Sequence, residues 1–297
     1  MSRHKTPLRY PGGKQKLAPF VAEVLAENNA VDWTYVEPYA GGAGVALELL
    51  LRRKVKNIHL NDSSIHIFAF WHSILTEPEK FCRRVSRAPL NVDEWRKHRE
   101  VIRNPEHNDL FSLGFSTFYL NRCNRSGVLT GGVIGGLEQK SRWKIDARFS
   151  RSGLIERIER IAEHSKSISL SNLDAEELLT KEIGKFSQKT LFYCDPPYYM
   201  RSQRLYLNSY ATEDHARIAG IIQTKLKRKW IVSYDGHNDI LRLYADRRKF
   251  LYSLQYSATK AYKGSEVFIF SDNLRIPNSS ILPFISDGIK GARKQLR

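Results

Sequence analysis

The fold follows from residues 191–198, Leu-Phe-Tyr-Cys-Asp-Pro-Pro-Tyr. The first four of these residues are apolar, partly aromatic and bounded by polar neighbours, which predicts a short buried strand. Neither Pro196 nor Pro197 can donate a backbone hydrogen bond, so strand pairing ends at Asp195. Asp195 and Tyr198 should therefore project from the carboxyl edge of the strand, where open α/β sheets bind their ligands.

Asp-Pro-Pro is also an ordinary turn sequence. In that interpretation Asp195 caps a turn or a helix, and Tyr198 packs on the surface. Short motifs often match by chance, so these four residues alone do not distinguish a turn from a ligand site. The choice depends on the elements that surround them in the chain.

Strand and helix signals alternate on both sides of this stretch. Residues 35–37 and 58–62 are predicted strands, and an apolar helical run lies between them at residues 45–51. Further strands are predicted at residues 167–170, 230–234, 250–256 and 266–271, and helices at residues 154–163, 175–182, 213–227 and 240–245. This alternation predicts an α/β fold with a Rossmann-like, mostly parallel sheet. The last two strands predict a terminal antiparallel hairpin around a short turn containing Lys263 and Gly264.

The middle of the chain differs in composition. Residues 64–114 have helical spacing, whereas residues 115–152 are basic and interrupted by glycines, which is typical of loops and hairpins. We therefore predict a mainly helical insertion at residues 64–165. The sheet domain is predicted to comprise residues 1–63 and 166–297.

Charge is the most informative part of the composition. The 297 residues include 48 Lys and Arg against 31 Asp and Glu, which gives a formal net charge of +17. Such a cation attracts polyanions, and nucleic-acid phosphates are the partner that it favours. A basic protein that binds nucleic acid only adventitiously is the alternative. The charge is dense at Arg83, Arg84 and Arg87, at residues 225–229, and between residues 122 and 151, where aromatic side chains are interleaved.

Composition also argues against several classes. Hydrophobic residues make up 41% of the chain and the mean hydropathy is −0.45. No apolar run reaches membrane-spanning length and no apolar signal segment follows the first residues, so we expect a soluble, cytoplasmic protein. The three cysteines, Cys82, Cys123 and Cys194, lack C-x-x-C spacing, and the nine histidines do not cluster. Neither disulfides nor a metal site is predicted.

A glycine-rich turn follows the first predicted strand of the sheet. Gly41, Gly42 and Gly44 let the backbone approach a ligand, and Asp62, about 20 residues further on, can bind both hydroxyls of a ribose. The spacing is not G-x-G-x-x-G, which disfavours NAD, and tight strand–helix packing is the alternative. Another glycine pair precedes Lys14 but lacks P-loop spacing; its alternative is a flexible turn with a solvated lysine.

Five ordered motifs together resemble the Dam-type, D12-class N6-adenine DNA methyltransferases. They are PLRYPGGK (residues 7–14), VEPYAGGAG (36–44), LNDS (60–63), FYLNRCNRSG (118–127) and DPPY (195–198). Two further stretches, WIVSYDG (230–236) and EVFIFS (266–271), are similar to the family as well. The resemblance implies a methyltransferase sheet that uses S-adenosylmethionine, an inserted DNA-recognition region, and double-stranded DNA as the substrate.

The resemblance also implies roles for individual residues. The catalytic motif corresponds to Asp195, Pro196, Pro197 and Tyr198. The cofactor-binding positions correspond to Tyr10, Lys14, Pro38, Tyr39, Ala40, Gly41, Gly42, Gly44, Asp62, Asp174 and Asp195. For Asp174 a helix N-cap ahead of residues 175–179 is an equally good interpretation.

The catalytic motif suits an exocyclic amine. The lone pair of adenine N6 is conjugated into the ring, so hydrogen bonds to the Asp195 carboxylate and the Pro196 carbonyl would orient the amine and free the lone pair. Tyr198 would stack on the base, which must first leave the duplex. Catalysis then depends on orientation and local electrostatics, without a covalent enzyme intermediate.

The inserted region contains the candidate DNA contacts Arg122, Asn124, Arg125, Ser126, Lys140 and Arg142. Arginines can bind guanine edges and lysines can bind phosphates, although a solvated basic surface is the alternative for each residue. GATC-methylating members of the family carry aromatic-Asn-Gly in this hairpin with an arginine shortly after it. Here Arg125-Ser126-Gly127 and Thr130 occupy those positions, so GATC is not predicted as the target.

Other functions remain open at this point. N4-cytosine methylation poses the same chemical problem, although that class typically has Ser where this chain has Asp195. An RNA methyltransferase or a protein-amide methyltransferase fits less well, because the latter usually carries Asn-Pro-Pro-Tyr. A catalytically silent DNA-binding protein would not need Asp62 or Asp195. We expect a monomer without an obligate protein partner.

Overall fold

The structure is a computed structural model that describes residues 5–9, 14–199, 210–256 and 262–277. Its centre is a seven-stranded sheet in the order β3-β2-β1-β4-β5-β7-β6. The strands are β1 (Thr34–Glu37), β2 (Asn57–Asn61), β3 (Ile168–Ser171), β4 (Thr190–Cys194), β5 (Lys229–Asp235), β6 (Arg248–Tyr256) and β7 (Tyr262–Phe270).

The strand directions confirm the predicted fold class. The first five strands in this order are parallel, whereas β7 pairs antiparallel with both β5 and β6. The order 3-2-1-4-5 is that of a Rossmann-like sheet, whose direction of winding reverses between β1 and β4. Ligands bind at this reversal, above the carboxyl ends of the strands.

The terminal hairpin is longer than predicted. β7 begins at Tyr262, so Lys263 and Gly264 belong to the strand and not to the turn. Their backbones pair with Gln255 and Leu254 of β6. Local composition does not indicate this extension, because Lys and Gly are both depleted in strands.

Ten α-helices are described in the covered ranges. They are α1 (Ala18–Glu27), α2 (Gly44–Leu51), α3 (Ile65–Thr76), α4 (Pro78–Arg87), α5 (Val92–Arg103), α6 (Leu110–Cys123), α7 (Arg151–Ala162), α8 (Ala175–Thr180), α9 (Thr212–Thr224) and α10 (Asn238–Leu243). Helices α3 to α7 all lie between β2 and β3 in the chain, as expected for the insertion. Residues 124–150 connect α6 to α7.

Aromatic packing holds the inserted helices together. Phe70 of α3 stacks on Phe118 of α6 with ring centroids 6.0 Å apart, and Phe81 of α4 packs on the edge of both rings. Gly114 allows α6 to approach α3, because a Cβ at this position would lie 2.3 Å from the carbonyl oxygen of Ala69. Alanine at position 114 would therefore force the two helices apart.

The core of the insertion is continuous with one side of the sheet. The same buried cluster contains Phe118 of α6, Tyr35 of β1 and Leu191 of β4. A second cluster on the sheet includes Phe192 of β4 and Ile218 of α9. The sheet is therefore covered on both faces, and the division of the chain into two domains stays a prediction.

Cys82, Cys123 and Cys194 are buried free thiols, and no group of three potential metal ligands occurs in the described ranges. Within those same residues, no helix has the length and apolar character required to cross a bilayer.

Candidate active site

Three strand ends bring the predicted site residues to one edge of the sheet. The glycine turn follows β1, Asp62 follows β2 and Asp195 follows β4. Because β1 lies between the other two strands, the turn separates the two carboxylates by two strand spacings, or about 10 Å. This edge is the crevice where the winding direction reverses.

Asp195 has one oxygen held by the protein. Its Oδ1 accepts a hydrogen bond from Ser233 Oγ at 2.7 Å and lies 3.2 Å from Lys14 Nζ. The side chain is 25% exposed, and Oδ2 has no hydrogen-bond partner among the residues described. Burial raises the pKa of Asp195 above its ordinary value, while Lys14 and Ser233 oppose that shift. The carboxylate thus has a fixed orientation and one oxygen left for a ligand.

Lys14 is a buried cation. Its Nζ donates hydrogen bonds to Glu266 Oε2 at 2.9 Å and to Tyr198 Oη at 2.6 Å. Burial alone would lower the pKa of Lys14, but the carboxylates of Asp195 and Glu266 outweigh it, and the pKa is raised. Lys14 is 5% exposed, so the interpretation of this residue as a solvated lysine is wrong.

Glu266 anchors this cluster, and the sequence analysis assigned it no role. It lies on β7 with 1% exposure, and it accepts hydrogen bonds from Lys14, from Tyr198 Oη at 2.6 Å and from Tyr252 Oη at 2.7 Å. The sequence signal that could have identified it is a single acidic residue directly before the apolar run Val-Phe-Ile-Phe of β7. Ser233 could have been identified in a similar way, because it is a polar residue among the apolar and aromatic residues in the middle of β5.

Tyr198 belongs to the same cluster as Asp195. Its ring is 6% exposed, and Lys14 Nζ lies 4.7 Å from the ring centroid. Pro196 is buried and Pro197 is half-buried. The structure therefore brings Lys14, Asp195 and Tyr198 together, with the tyrosine hydroxyl directed into the ionic cluster.

The glycine turn and Asp62 form a second cluster. Gly41 adopts φ +46°, in the left-handed region that favours glycine. Its N–H donates to Asp62 Oδ2 at 2.8 Å, and Ser64 N–H donates to Asp62 Oδ1 at 2.9 Å. Burial raises the pKa of Asp62 to about 6, opposed by these two hydrogen bonds. Each carboxylate oxygen keeps a lone pair for a ligand hydroxyl.

Tight packing holds the turn in place. Pro38, Ala40 and Gly42 are buried, and Tyr39 is half-buried with its Oη 3.0 Å from Tyr210 Oη. A Cβ on Gly44 would lie 3.1 Å from Gln15 Cβ. Gly44 thus allows close packing against Gln15, and the role of the turn in ligand binding stays a prediction.

Asn61 positions the two strand ends, although the sequence analysis gave it no role. Its side chain is fully buried, and Nδ2 donates to Pro38 O at 2.9 Å and to Leu173 O at 3.0 Å. Its Oδ1 accepts from Ser171 Oγ at 2.7 Å. Asn61 therefore ties the glycine turn to β3 directly beside Asp62.

Two remaining cofactor candidates have different outcomes. Asp174 is exposed and acts as the N-cap of α8, accepting a hydrogen bond from Glu176 N at 2.8 Å. This is the helix-cap interpretation of Asp174. Tyr10 lies outside the described residues.

Glu37, the last residue of β1, carries a pH-dependent prediction. It is 5% exposed, and burial raises its pKa to about 8 from 4.5, opposed by the hydrogen bond from Ala46 N–H and by the nearby Tyr35 hydroxyl. The folded chain then holds a proton that the unfolded chain releases, so stability should decrease as pH rises through this window. Urea unfolding should show a loss of at most about 5 kcal/mol. Glu37→Gln should flatten this dependence, and an unchanged pH slope in that variant would contradict it.

Two candidate DNA contacts lie inside the protein. Asn124 is fully buried; its Oδ1 accepts from Trp95 Nε1 at 2.7 Å, and its Nδ2 donates to Val128 O at 2.8 Å. Arg122 donates from Nε to Arg148 O at 2.7 Å, and burial lowers its pKa to about 9. Both side chains close the loop of residues 124–150. Asn124 uses both of its amide N–H groups there, whereas Arg122 uses three of its five guanidinium N–H groups, on Arg148 O and Pro7 O.

The other four candidates are exposed on that loop. Arg125 and Ser126 lie at its start, where Ser126 adopts φ +56°. Lys140 pairs with Glu138 at 2.6 Å, and the Arg142 guanidinium carbon lies 5.4 Å from the Trp143 ring centroid. Trp143 is itself 60% exposed. This loop therefore presents cations and an aromatic face to solvent.

The sheet order and the carboxylate-bearing strand ends are those of a Rossmann-like methyltransferase. The chain belongs to the D12 class N6 adenine-specific DNA methyltransferase family, whose sequence profile matches residues 10–260. The family suggested by the sequence motifs is thereby confirmed.

Comparison with individual proteins adds little to this assignment. No curated protein matches the chain significantly. A Haemophilus influenzae protein assigned as a methylase is 9% identical, with 85% of this chain and 97% of that chain covered and a TM-score of 0.29. An Escherichia coli protein assigned as a methyltransferase is 9% identical, covering 89% and 91%, with a TM-score of 0.31. These similarities are too distant to bear on activity.

Proposed function

We propose that this protein transfers a methyl group from S-adenosylmethionine to N6 of an adenine in duplex DNA. The observation that carries the proposal is the Asp195 carboxylate at the carboxyl end of the central strand. One of its oxygens is held by Ser233 and Lys14, and the other has no partner among the described residues. An amine bound to that second oxygen would be held in a single orientation.

The crevice suits the cofactor. Asp62 has acceptor capacity left for ribose hydroxyls, and the turn at Gly41 and Gly42 has no side chain to block a nucleoside. S-adenosylmethionine supplies an electrophilic methyl group on a positively charged sulfur. Asp195, on the other side of the turn, adds negative charge near the reacting centre, which favours a cation there.

The reaction needs orientation and little acid–base chemistry. The Asp195 carboxylate accepts one N–H of the target amine, and the Pro196 carbonyl accepts the other. Both bonds favour a pyramidal nitrogen whose lone pair points towards the methyl group. An ordinary carboxylate is too weak to deprotonate a neutral arylamine, so the proton is lost after transfer. Tyr198 would contact the base through the exposed edge of its ring.

Adenine inside a duplex is out of reach of this crevice, so the base must be flipped out. We assign DNA binding to α3–α7 and to the loop of residues 124–150, which together form the recognition domain of this proposal. The exposed Arg125, Ser126, Lys140 and Arg142 support this assignment, as does the net charge of +17. Asn124 is left out of it because both of its amide N–H groups are used within the loop, and Arg122 because most of its guanidinium N–H groups donate to backbone carbonyls.

The test is transfer of labelled methyl from S-adenosylmethionine to unmethylated duplex DNA, followed by nucleoside analysis. We expect N6-methyladenine as the product. Formation of 4-methylcytosine would instead indicate an N4-cytosine methyltransferase. Cofactor binding without any methylated product would instead indicate a silent DNA-binding protein.

Cofactor binding gives a separate prediction. Asp62→Ala should weaken binding of S-adenosylmethionine by roughly tenfold or more, because two hydrogen bonds to a charged acceptor are lost. Calorimetric titration measures this effect. Asp93→Ala is the matched control, since Asp93 lies on α5 with its side chain 84% exposed. Equal loss of affinity in both variants would show that Asp62 has no special role.

A further inference from the structure

A cavity of about 260 Å³ lies between α4, α5 and α6, away from the strand ends. Three arginines of α4, Arg83, Arg84 and Arg87, line it together with Phe115 of α6 and Glu94 of α5. We call it the arginine pocket. Its volume is below the range typical of sites for whole small molecules, and it suits a group the size of a phosphate with part of its sugar.

The charges of the arginine pocket are only partly compensated, because Glu94 and Asp109 attract Arg84 without forming an ion pair with it. In the described part of the chain, none of its three guanidinium groups has a carboxylate within ion-pair distance. The neighbouring helix α5 behaves differently, because Arg96 pairs with Asp93 and Arg103 pairs with Glu100, both at 2.8 Å.

The acid that lines the pocket does not alter this balance. Glu94 Oε2 already accepts from Lys97 Nζ at 3.1 Å. An anion would therefore meet three cations and two nearby carboxylates: Glu94, which is paired with Lys97, and Asp109, which accepts hydrogen bonds from Ser112.

Arg84 is held in an orientation that suits an anion. Its guanidinium carbon lies 4.3 Å from the Phe115 ring centroid and 5.8 Å from that of Phe111. Burial lowers the pKa of Arg84 from its ordinary value. A guanidinium stacked on aromatic rings keeps its N–H edges available for two parallel hydrogen bonds to phosphate oxygens.

The walls of the pocket are tied down by the rest of the inserted region. Tyr119 Oη donates to Pro89 O at 2.8 Å, and Arg151 Nη2 donates to Ala88 O at 2.8 Å. Arg151 Nη1 also donates to Val85 O at 3.2 Å. Carbonyl oxygens at the end of α4 that would repel an anion are thereby already occupied.

A simpler explanation is that arginines near the end of α4 complement the helix dipole. The dipole accounts for cations at this end of the helix. It does not account for three guanidinium groups around one cavity, nor for the stacking of Arg84 on Phe115.

We propose that the arginine pocket binds a backbone phosphate of the DNA duplex, which extends the contact surface beyond the loop of residues 124–150. This inference rests on the proposed function. Helix α6 links the two places: Phe115 and Cys123, where the loop begins, are separated by about 12 Å along the helix. Because a duplex carries one phosphate for about every 1.7 Å of its axis, a duplex bound at the loop would need to extend only about this far to place a phosphate at the pocket.

The experiment compares two double variants with equal loss of charge. Arg83→Gln with Arg87→Gln removes two exposed pocket arginines, and Arg96→Gln with Arg103→Gln removes two exposed, ion-paired arginines of α5. Binding of a fluorescein-labelled duplex is followed by anisotropy between about 50 and 200 mM salt. The pocket variant should bind about tenfold more weakly, with a salt slope smaller by about 1, and the α5 variant should match the wild type.

Two results would overturn the inference. In one, both double variants show the same affinity and salt slope. In the other, inorganic phosphate titrated by calorimetry binds the wild type and not the pocket variant, while duplex binding is equal in the two. That result would assign the pocket to a small phosphorylated molecule.

Methyl transfer is measured in parallel on the same proteins. If the wild type methylates DNA but the pocket variant keeps the full salt slope, the inference about the pocket is refuted and the proposed function stands. If duplex binding depends on the pocket but no methylated product forms, the inference about the pocket holds and the proposed function fails.

Discussion

Asp195→Ala is expected to reduce the rate of methyl transfer by roughly 10³-fold or more, because the target amine loses the acceptor that orients it. The carboxylate lies at the end of β4 with only Oδ1 engaged by the protein. Duplex DNA affinity should be unchanged, since the exposed cations lie on the loop and in the arginine pocket. Single-turnover transfer of labelled methyl measures the effect.

Ser233→Ala provides the graded comparison for this variant. It removes one of the two contacts to Oδ1, at 2.7 Å, and leaves the carboxylate and Lys14 in place. We expect a loss of about tenfold, smaller than that of Asp195→Ala, because orientation is weakened without removing the acceptor. Appreciable turnover by Asp195→Ala would contradict the mechanism.

Glu266→Gln should have the second largest effect, about 10²-fold on kcat, with little change in the KM for DNA. The variant removes the anion that holds Lys14 and Tyr198. Lys14 is then free to engage the second oxygen of Asp195 and to compete with the substrate amine. Circular dichroism and urea unfolding must show a folded protein, because breaking a buried charge network can cost about 3–5 kcal/mol.

The pH dependence separates this role of Glu266 from a purely structural one. Asp195 must be ionised to accept the amine, so activity rises with pH through its pKa. Glu266 helps to raise that pKa and Lys14 lowers it. Glu266→Gln should therefore move the acid limb of kcat/KM to lower pH, and Lys14→Met should move it to higher pH. Tyr252→Phe, which removes a neutral hydrogen bond to Glu266, should leave the acid limb of kcat/KM in place. If Glu266→Gln and Lys14→Met shifted the acid limb in the same direction, the electrostatic role of Glu266 would be refuted.

The strand ends were predictable from local sequence, and the charge cluster was not. An apolar strand followed by Asp-Pro-Pro defines β4 and its terminal carboxylate within eight residues. Glu266 reaches the same place from β7, which is inserted antiparallel between β5 and β6. No local pattern shows that insertion, because strand order depends on pairing between distant segments.

For the loop of residues 124–150, the sequence predicted the loop itself but not which of its basic side chains are exposed. Composition predicted loops and hairpins over residues 115–152, and the structure has an irregular loop at residues 124–150. The prediction was wrong for residues 115–123, which complete the buried helix α6, because their apolar side chains pack into the core. Composition could not tell Arg125, which is exposed, from Arg122, whose guanidinium bonds to Arg148 O. Adjacent basic residues differ only in whether a backbone carbonyl happens to lie within reach, which is a property of the folded loop.

The contact between Lys14 and Glu266 joins positions 252 residues apart. A ribosome must therefore release nearly all of this polypeptide before the ion pair can form, and such distant pairings are slow to assemble. Chains that end before β7 should thus lack the proposed methyl transfer, however well their earlier segments have folded. The enzyme would gain its activity late and in one step.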